Sequence, residues 1–385
     1  MKINTTTALD YCEFVTDGTH DSPKAKDEGF KLITSKHLKR YEIDFNSANF
    51  ISEEDYKKVI DRSGVEQWDI LFSMIGTIGN LYIETNSNIN YACKNMGIFQ
   101  MGGDEMKSKW LYYYLQSPKA VEYIAAVSRG TTQGYVPLGA LRKMPVDVVE
   151  NIVRDKIVTF LWNLDEKIKT NIEINNNLEQ QAQAIYQQIF IDNVSSNWTE
   201  GTLSDIADIT MGQSPSGSSY NEDSNGTIFF QGRAEFGFRF PAVRLYTTEP
   251  KRMACANDTL MSVRAPVGDL NVAHTDCCIG RGLAAIHSKN NHQSFVLYTM
   301  FSLKKQLDVF NGEGTVFGSI NRKSLNEMPI LIPSSEKLDE FEALVAPMDA
   351  AIRNNYDEIC RLKQLRDSLL PKLMSGELDV SNIDI

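Results

Sequence analysis

Residues 69–81 read Asp-Ile-Leu-Phe-Ser-Met-Ile-Gly-Thr-Ile-Gly-Asn-Leu, and residues 258–270 read Asp-Thr-Leu-Met-Ser-Val-Arg-Ala-Pro-Val-Gly-Asp-Leu. The two stretches share an apolar run, a serine and a glycine turn at an offset of 189 residues. A second match joins the loop and Met-Pro strand of residues 130–145 to residues 314–329, at an offset of 184. A repeat of this length is too long for a solenoid unit and predicts two copies of one globular domain.

Each copy contains short runs of strand-like composition and one clear helical run. The predicted strands are 70–75, 80–83 and 97–101 in the first copy, and 260–263, 271–274 and 283–286 in the second. The predicted helices are 110–117 and 294–303, each of which precedes a loop rich in glycine and threonine. These elements predict that each copy mixes helices with sheets.

After each copy, seam residues recur at alternating steps of three and four, which is the pattern of a coiled coil. The first seam comprises Ile157, Leu161, Leu164, Ile168, Asn171, Asn175, Leu178, Ala182, Ile185 and Ile189. The second comprises Leu338, Phe341, Val345, Met348, Ile352, Asn355, Ile359, Leu362, Arg366, Leu369 and Leu373. A continuous helix over residues 152–190 would be roughly 58 Å long. We therefore predict two long helices that lie side by side, antiparallel, as a spacer.

The offset of 184 places Asn171 on Asn355. A polar residue in a seam costs stability but fixes the register of the two helices. We predict this role for both asparagines, and the alternative is an amphipathic helix with a solvated asparagine. Ser334 or Ser335 is suited to cap the second helix, and Gly376 to end it.

The predicted fold is α+β with an internal pseudo-twofold repeat, in which two similar globular domains are separated by a pair of long antiparallel coiled-coil helices. The predicted boundaries are 1–150 for the first globular domain, 151–193 for the first spacer helix, 194–333 for the second globular domain, 334–376 for the second spacer helix and 377–385 for a C-terminal tail.

Charge and composition restrict the class of protein. The net charge of -11 disfavours strong non-specific binding to nucleic acid. The last 52 residues hold 6 basic and 11 acidic side chains, however, so the globular domains are closer to neutral and either can carry a basic face. Apolar runs are shorter than the roughly 20 residues of a membrane span, and residues 1–10 have no signal-peptide pattern. We expect a cytoplasmic protein without a membrane partner.

Catalytic and metal-binding signatures are absent from the sequence. The six cysteines form no C-x-x-C pair, and His274 beside Cys277 and Cys278 lacks further ligands, so buried thiols are expected there. The sequence contains no phosphate loop, no dinucleotide fingerprint, no nucleophile elbow and no H-E-x-x-H motif.

The two copies also contain polar loops at matching places. Their side chains are of the types that bind phosphates and base edges in other proteins. The first copy offers Thr19, His20, Lys36, His37, Lys94, Arg129, Thr132 and Gln133. The second copy offers Gln213, Ser214, Ser216, Ser218, Tyr220, Gln231, Arg233, Arg239, Arg264, Arg281 and Thr315. A solvated turn explains each loop taken alone, and the recurrence favours DNA contact for the set.

These residues resemble the specificity subunits of type I restriction-modification enzymes over the whole chain. The resemblance is carried by the duplicated domain and by three motifs. The motifs are Ser-Val-Arg-Ala-Pro-Val-Gly at 262–268, the loop and Met-Pro strand at 314–329, and Leu-Arg-Asp-Ser-Leu-Leu-Pro-Lys-Leu-Met-Ser-Gly-Glu-Leu at 365–378. The last motif is the most specific of the three.

The resemblance implies two target-recognition domains on an antiparallel helix pair, each of which reads one half of a bipartite, asymmetric double-stranded DNA sequence. It also implies that two methyltransferase subunits dock along the helices and that restriction subunits join the full complex. The chain itself would be non-catalytic and without a cofactor, because S-adenosylmethionine, ATP and magnesium would be held by the partner subunits.

One departure separates the two copies. Ile75 stands where the second copy has Arg264, so the two domains are expected to contact DNA differently. Two other functions stay open. A self-contained methyltransferase or nuclease would bind S-adenosylmethionine or metal by itself, and a scaffold with two protein-binding domains would show no sequence-selective DNA binding.

Overall fold

A computed structural model describes residues 2–130, 134–312 and 318–381. The chain divides into two compact units, Met1–Thr170 with Glu358–Ile385, and Asn171–Asp357. Each unit therefore contains one globular region together with part of each long helix. Within the described residues, no helix is both long enough and apolar enough to cross a membrane.

The first unit contains three sheets. Its strands are β1 (Asn4–Thr7), β2 (Phe14–Asp17), β3 (Phe30–Ile33), β4 (Phe50–Ile51), β5 (Ile70–Ser73), β6 (Leu81–Ile83), β7 (Tyr91–Cys93), β8 (Met96–Gln100) and β9 (Pro145–Val148). Its helices are α1 (Ala8–Tyr11), α2 (Glu53–Ser63), α3 (Glu105–Tyr114), α4 (Pro118–Val127) and α5 (Leu138–Lys143), with a 3₁₀ turn at Ser35–His37. The strand orders are β1-β9, β2-β8-β5-β6 and β4-β3-β7.

The next helix, α6, spans Asn151–Tyr186 and continues as a π-helical turn at Gln187–Asp192. The strands of the second unit are β10 (Thr199–Thr202), β11 (Ala207–Met211), β12 (Tyr220–Asn221), β13 (Thr227–Phe230), β14 (Leu245–Thr247), β15 (Met253–Ala254), β16 (Thr259–Ser262), β17 (Leu270–Val272), β18 (Cys277–Ile279), β19 (Leu283–Ser288) and β20 (Pro329–Ile332). The remaining helices are α7 (Leu203–Ile206), α8 (Gln293–Ser302), α9 (Lys304–Asp308), α10 (Arg322–Asn326) and α11 (Ser335–Ser375), with 3₁₀ turns at Gly217–Ser219, Arg233–Glu235 and Val309–Asn311.

The second unit repeats the strand orders of the first and adds two strands, β12 and β15, at the edges of its third sheet. Its strand orders are β10-β20, β11-β19-β16-β17 and β12-β14-β13-β18-β15. In each unit one strand pair is parallel, β3 with β7 and β13 with β18. The predicted α+β fold with an internal repeat is confirmed.

The apolar run that opens the repeat forms a strand with a core on each face. Ile70 and Phe72 of β5 belong to one buried cluster, whereas Leu71 belongs to another. Met261 and Leu260 of β16 divide between two clusters in the same way. Because successive side chains point to opposite faces of a sheet, a strand buried on both faces needs an uninterrupted apolar run.

The predicted strands agree with the structure to within two residues at each end. The helix predicted over residues 110–117 begins earlier, at Glu105, and ends earlier, at Tyr114, because Ser117 caps the start of α4. The Asp104 side chain accepts a hydrogen bond from the Lys107 N–H and caps this helix. The buried face of α3 includes the charged residue Lys109, so the sequence does not show a regular apolar face there.

The long helices run antiparallel within each unit. In the first unit Lys167 pairs with Glu358 at 3.5 Å, and Asp165 with Arg366 at 2.6 Å. In the second unit Asn355 donates to Asn175 at 2.9 Å, and the rings of Tyr186 and Phe341 lie 5.8 Å apart. Within each unit, later residues of α6 therefore face earlier residues of α11.

The ends of α11 follow the sequence signals. The Leu338 N–H donates to the Ser334 carbonyl at 3.1 Å, which places Ser334 at the N-cap. Gly376 has a φ of 75° and follows the last helical residue. A left-handed residue at this place is the usual way to end a helix, and glycine adopts it without a steric cost.

Candidate nucleic-acid interface

Several predicted contact residues of the first unit meet where the parallel strands end. Lys36 follows β3, Lys94 follows β7, and the Lys94 N–H donates to the Ile33 carbonyl at 2.8 Å. Because β3 and β7 are parallel, their carboxyl ends lie at the same sheet edge. The topology therefore brings together two lysines that are 58 residues apart in the sequence.

The loop after β2 joins the same edge. The Thr19 N–H donates to the Cys93 carbonyl at 2.9 Å, and the His20 ring contacts the Asn95 side chain at 2.8 Å. His20 also contacts Asp17 at 2.9 Å, while its own side chain stays 62% exposed. Thr19 is buried, and its hydroxyl accepts the Asp21 N–H within the turn. Of the two predicted residues in this loop, His20 is therefore the one that can meet a ligand.

The second unit builds the same edge with different side chains. Gln231 follows β13, and Arg281 lies two residues after the end of β18. The Gln213 N–H donates to the Ile279 carbonyl at 3.0 Å, and the Arg281 N–H donates to the Ser214 hydroxyl at 3.2 Å. Two glutamines and an arginine therefore converge where the first unit has lysines and a histidine.

The serine-rich loop of the second unit is partly satisfied by its own groups. The Ser216 and Ser218 hydroxyls lie 2.8 Å apart, and the Tyr220 hydroxyl donates to the Pro215 carbonyl at 3.1 Å. Ser216 and Ser218 are nevertheless exposed. These hydroxyls can exchange their mutual hydrogen bond for one to a phosphate oxygen.

Arg129 and Arg264 lie beside the glycine turns of the repeat. Arg129 forms a β-bridge with Tyr135, which also bridges to Ile75, and Arg264 bridges to Ser319. Both arginines are exposed. Of the predicted residues in the neighbouring loops, Thr132, Gln133 and Thr315 lie outside the described residues.

The cations of these loops are free to meet phosphates. Within the described part of the chain, no ion pair is found for Lys36, Arg129, Arg264 or Arg281. Arg233 differs, because its Nε lies 2.9 Å from the Asp269 carboxylate. An exposed cation without a carboxylate partner needs no ion pair to be broken before it neutralises a phosphate.

Besides Thr19, two further predicted contact residues are buried, and the structure does not support a role for any of the three in direct DNA contact. His37 is 2% exposed, and its Nδ1 accepts the Thr34 N–H at 2.9 Å. Burial and the Lys36 ammonium lower the pKa of His37, which keeps the ring neutral. Its place inside the 3₁₀ turn makes it a structural residue.

Arg239 is the second correction. This side chain is 3% exposed, and its Nη2 lies 3.2 Å from Asp349, 3.6 Å from Glu179 and 3.0 Å from the Tyr298 hydroxyl. Burial tends to lower the pKa of the guanidinium, but Tyr298 and the two carboxylates outweigh it and raise the pKa. Arg239 therefore links its loop to α6 through Glu179 and to α11 through Asp349.

The first unit has a corresponding buried junction that the sequence did not reveal. Asp165 accepts hydrogen bonds from the Tyr113 hydroxyl at 2.9 Å and the Tyr41 hydroxyl at 3.0 Å, and pairs with Arg366 at 2.6 Å. In the second unit Tyr298 donates to Asp349 at 2.9 Å. The repeat offset, 184 for the aspartates and 185 for these tyrosines, is the signal that could have identified both junctions.

Of the seam asparagines, Asn171 and Asn175 are buried and Asn355 is half-buried. Asn355 donates to Asn175 at 2.9 Å, and Asn175 donates to the Ile352 carbonyl at 3.3 Å. Asn171 is 1% exposed and lies one seam position before Asn175. Register fixing by Asn171 and Asn355 stays a prediction, to which the structure adds Asn175.

The described residues hold no cluster of three or more histidine, cysteine, aspartate or glutamate side chains that could bind a metal ion. Whether S-adenosylmethionine, ATP and magnesium are held by partner subunits stays a prediction.

Comparisons with known proteins identify the family. Residues 24–180 and 195–348 each match the type I restriction modification DNA specificity domain. The chain is 28% identical to the putative type I restriction enzyme MjaX specificity subunit of Methanocaldococcus jannaschii, over 96% of this chain and 92% of that protein. It is 24% identical to the MjaIX specificity subunit of the same organism, over the same shares.

A solved structure supports the fold. The S subunit of a type I restriction-modification system from M. genitalium matches with a TM-score of 0.64 at 15% identity, over 97% of this chain and 96% of that chain. Together with the duplicated topology and the two domain matches, this confirms the resemblance seen in the sequence. The chain belongs to the family of type I restriction modification DNA specificity proteins and carries two copies of the specificity domain.

Proposed function

We propose that this chain recognises DNA as the specificity subunit of a type I restriction-modification complex, with each domain reading one half of a bipartite, asymmetric double-stranded target. The observation that carries the proposal is the matched sheet edge of the two domains. One backbone arrangement presents Lys36 and Lys94 in the first domain, and Gln231 and Arg281 in the second. Duplicated scaffolds with different side chains suit two different half-sites.

The helix pair is proposed to set the distance between the half-sites and to dock two methyltransferase subunits. Four large apolar side chains support the docking role, because they are exposed on α6 and α11. They are Ile152, Ile174, Leu344 and Leu365, with exposed fractions of 72%, 40%, 49% and 42%. Apolar side chains on an otherwise acidic helical surface fit a protein partner better than phosphate.

The chain is proposed to contribute recognition and no chemistry. The methyltransferase subunits would bind S-adenosylmethionine and flip the target adenine out of the duplex. Restriction subunits, with ATP and magnesium, would complete the full complex. We propose that the complex acts in the cytoplasm.

The test is methylation mapping of DNA exposed to the full chain together with its methyltransferase subunit, by sequencing that reports N6-methyladenine. Each component alone serves as a control. We expect a two-part motif with a fixed gap that is methylated only by the mixture. Methylation of an uninterrupted motif by this chain alone would point to a self-contained enzyme. Partner binding without sequence-selective methylation would point to a scaffold.

A further inference from the structure

A surface cleft lies at the same place in both domains. In the first unit a cleft of about 520 Å³ lies between the 3₁₀ turn Ser35–His37, the turn at residues 77–81 and the end of α3. In the second unit a cleft of about 480 Å³ lies between the 3₁₀ turn Arg233–Glu235, the turn at residues 268–270 and the end of α8. Each cleft adjoins the sheet edge that holds the predicted contact residues.

One position in these clefts has the same backbone setting but a different side chain. The Asn80 N–H donates to the Ser73 hydroxyl at 2.8 Å, and the Asp269 N–H donates to the Ser262 hydroxyl at 2.9 Å. In return, each serine N–H donates to the carbonyl of its partner residue, at 2.9 Å in both domains. The backbone at position 80 is therefore held as firmly as at position 269, and in the same way.

The preceding glycine fixes the direction of the chain at both positions. Gly79 has a φ of 93° and Gly268 a φ of 83°, in the left-handed region that favours glycine. The backbone at this glycine therefore has a similar conformation in both domains, whereas the side chain that follows the glycine differs. This is the arrangement expected of a position that changes specificity without disturbing the fold.

The surroundings of the two side chains also differ. The first cleft is lined by Lys36, Lys39 and Arg40, with no carboxylate among its lining residues, and the Asn80 amide donates to the Leu38 carbonyl at 3.4 Å. In the second cleft the Asp269 carboxylate lies 2.9 Å from Arg233 and 3.4 Å from Lys304, with one oxygen facing each cation. A carboxylate has about four acceptor positions, so these two ion pairs leave acceptor capacity free.

We propose that Asn80 and Asp269 are a matched pair of specificity-determining residues, through which the two clefts read different bases. This inference rests on the proposed function, in which each domain binds one half-site. An amide both donates and accepts, which suits the adenine edge, whereas a carboxylate only accepts, which suits the cytosine amino group. In the first cleft, Lys36, Lys39 and Arg40 would neutralise phosphates and orient the cleft on the duplex.

The experiment exchanges the two side chains in the full chain, assembled with its methyltransferase subunits. Asn80→Asp and Asp269→Asn are tested on a randomised DNA library, and methylation is read by sequencing. We expect Asn80→Asp to change the base preference of one half-site by between about 5- and 150-fold. The other half-site should stay unchanged, and Asp269→Asn should give the converse.

Two matched variants make the same chemical change outside the clefts. Asn88 lies in the exposed connection between β6 and β7, and Asp223 in the exposed connection between β12 and β13. Both connections precede the parallel strands, so they lie at the opposite end from the clefts. Asn88→Asp and Asp223→Asn are expected to leave the whole methylation motif unchanged.

The outcomes separate this inference from the proposed function. If the wild-type complex gives a bipartite motif and both exchanges leave its bases unchanged, even at a lower rate, these residues are structural and the inference fails alone. If either exchange alters both half-sites, the effect is not local and the inference also fails. If the wild-type complex gives no bipartite motif, the proposed function and the inference fail together.

Discussion

At the scale of single residues, the Asp165 carboxylate and the Arg366 guanidinium form a buried pair. Their closest atoms lie 2.6 Å apart, and the side chains are 7% and 2% exposed. Removing one member leaves a buried charge without its partner, which typically costs about 3–5 kcal/mol. We expect Arg366→Met to lower the free energy of unfolding by this amount, as measured by urea denaturation of the full chain.

An exposed ion pair provides the control for that measurement. Lys57 and Glu53 lie 2.7 Å apart, but both side chains are 66% exposed. Solvent weakens such a pair, so Lys57→Gln should cost less than about 1 kcal/mol. The double variant Asp165→Leu with Arg366→Met should recover part of the loss, because no unpaired charge remains, while the Tyr41 and Tyr113 hydroxyls lose their acceptor. Equal losses at the buried and exposed sites would contradict this account.

Asp69 makes the stability of the first unit depend on pH. This side chain is 1% exposed, and burial raises its pKa to about 7, although the N–H groups of Glu66 and Met101 partly oppose the shift. Between about pH 4 and pH 7 the folded chain holds a proton that the unfolded chain has lost. The free energy of unfolding should therefore fall as the pH rises through this window, by up to about 4 kcal/mol.

The measurement is urea denaturation at several pH values between 4 and 8. Asp69→Asn cannot ionise, so the fall attributed to this carboxyl should be missing from its profile, even if the variant is less stable throughout. Asp223→Asn, at an exposed position, should keep the wild-type profile. A profile of Asp69→Asn that runs parallel to the wild type would assign the pH dependence to other groups.

At the scale of elements, Asn175 of α6 and Asn355 of α11 form a polar contact within the second unit. The Asn355 amide donates to the Asn175 side chain at 2.9 Å. Asn355→Leu leaves part of a buried amide without its partner, so we expect it to lower the free energy of unfolding by about 1–3 kcal/mol. The double variant Asn175→Leu with Asn355→Leu replaces both amides, and should recover or exceed the wild-type stability.

A double-mutant cycle measures this contact directly. The coupling free energy should lie within about 0.5–3 kcal/mol, because the residues are in contact. Additive effects of the two substitutions would show that the hydrogen bond contributes nothing beyond the individual sites. If the asparagines fix the register, the double variant should also lose the single fixed gap in the methylated motif, despite its stability.

The sequence predicted the long helices well but placed part of their buried face one residue too early. The predicted seam contains Leu164, Ile185 and Ile189, whereas Asp165, Tyr186 and Phe190 are the buried neighbours. A strict repeat of seven residues drifts by about 20° per heptad relative to a straight helix with 3.6 residues per turn. Toward the C-terminal end of α6, this drift moves the buried face from Ile185 and Ile189 to Tyr186 and Phe190. Asp165 is buried for a different reason, because its carboxylate pairs with Arg366.

At the scale of the whole molecule, the repeat made the duplicated α+β fold predictable. It predicted only some of the residues in the contact loops. Lys36 and Lys94 meet because β3 and β7 are parallel neighbours, and strand order is a tertiary property that local patterns do not contain. Arg239 was wrongly predicted to contact DNA. Its partner Asp349 lies 110 positions away, so the sequence did not show that the two residues form an ion pair. Burial of a charged residue becomes visible only when the distant partner is placed.

The lengths of α6 and α11 should determine the spacing of the half-sites. Both α6 and α11 contain residues of both units, so one heptad inserted after Glu173 and another after Asp357 lengthens both connections together. Seven residues preserve the phase of the seam and add about 10.5 Å, or roughly three base pairs of B-form DNA. We expect the gap in the methylated motif to lengthen by this amount while both half-sites keep their bases.

Methylation sequencing of the assembled complex measures the gap. The control inserts the same heptad into α6 alone, which puts the facing residues of the two helices out of register and should abolish methylation of any fixed-gap motif. An unchanged gap after the double insertion would mean that the helices do not set the spacing. Half-sites that changed with the gap would mean that recognition and spacing are not separable, because the domains would then depend on the helices for their base contacts.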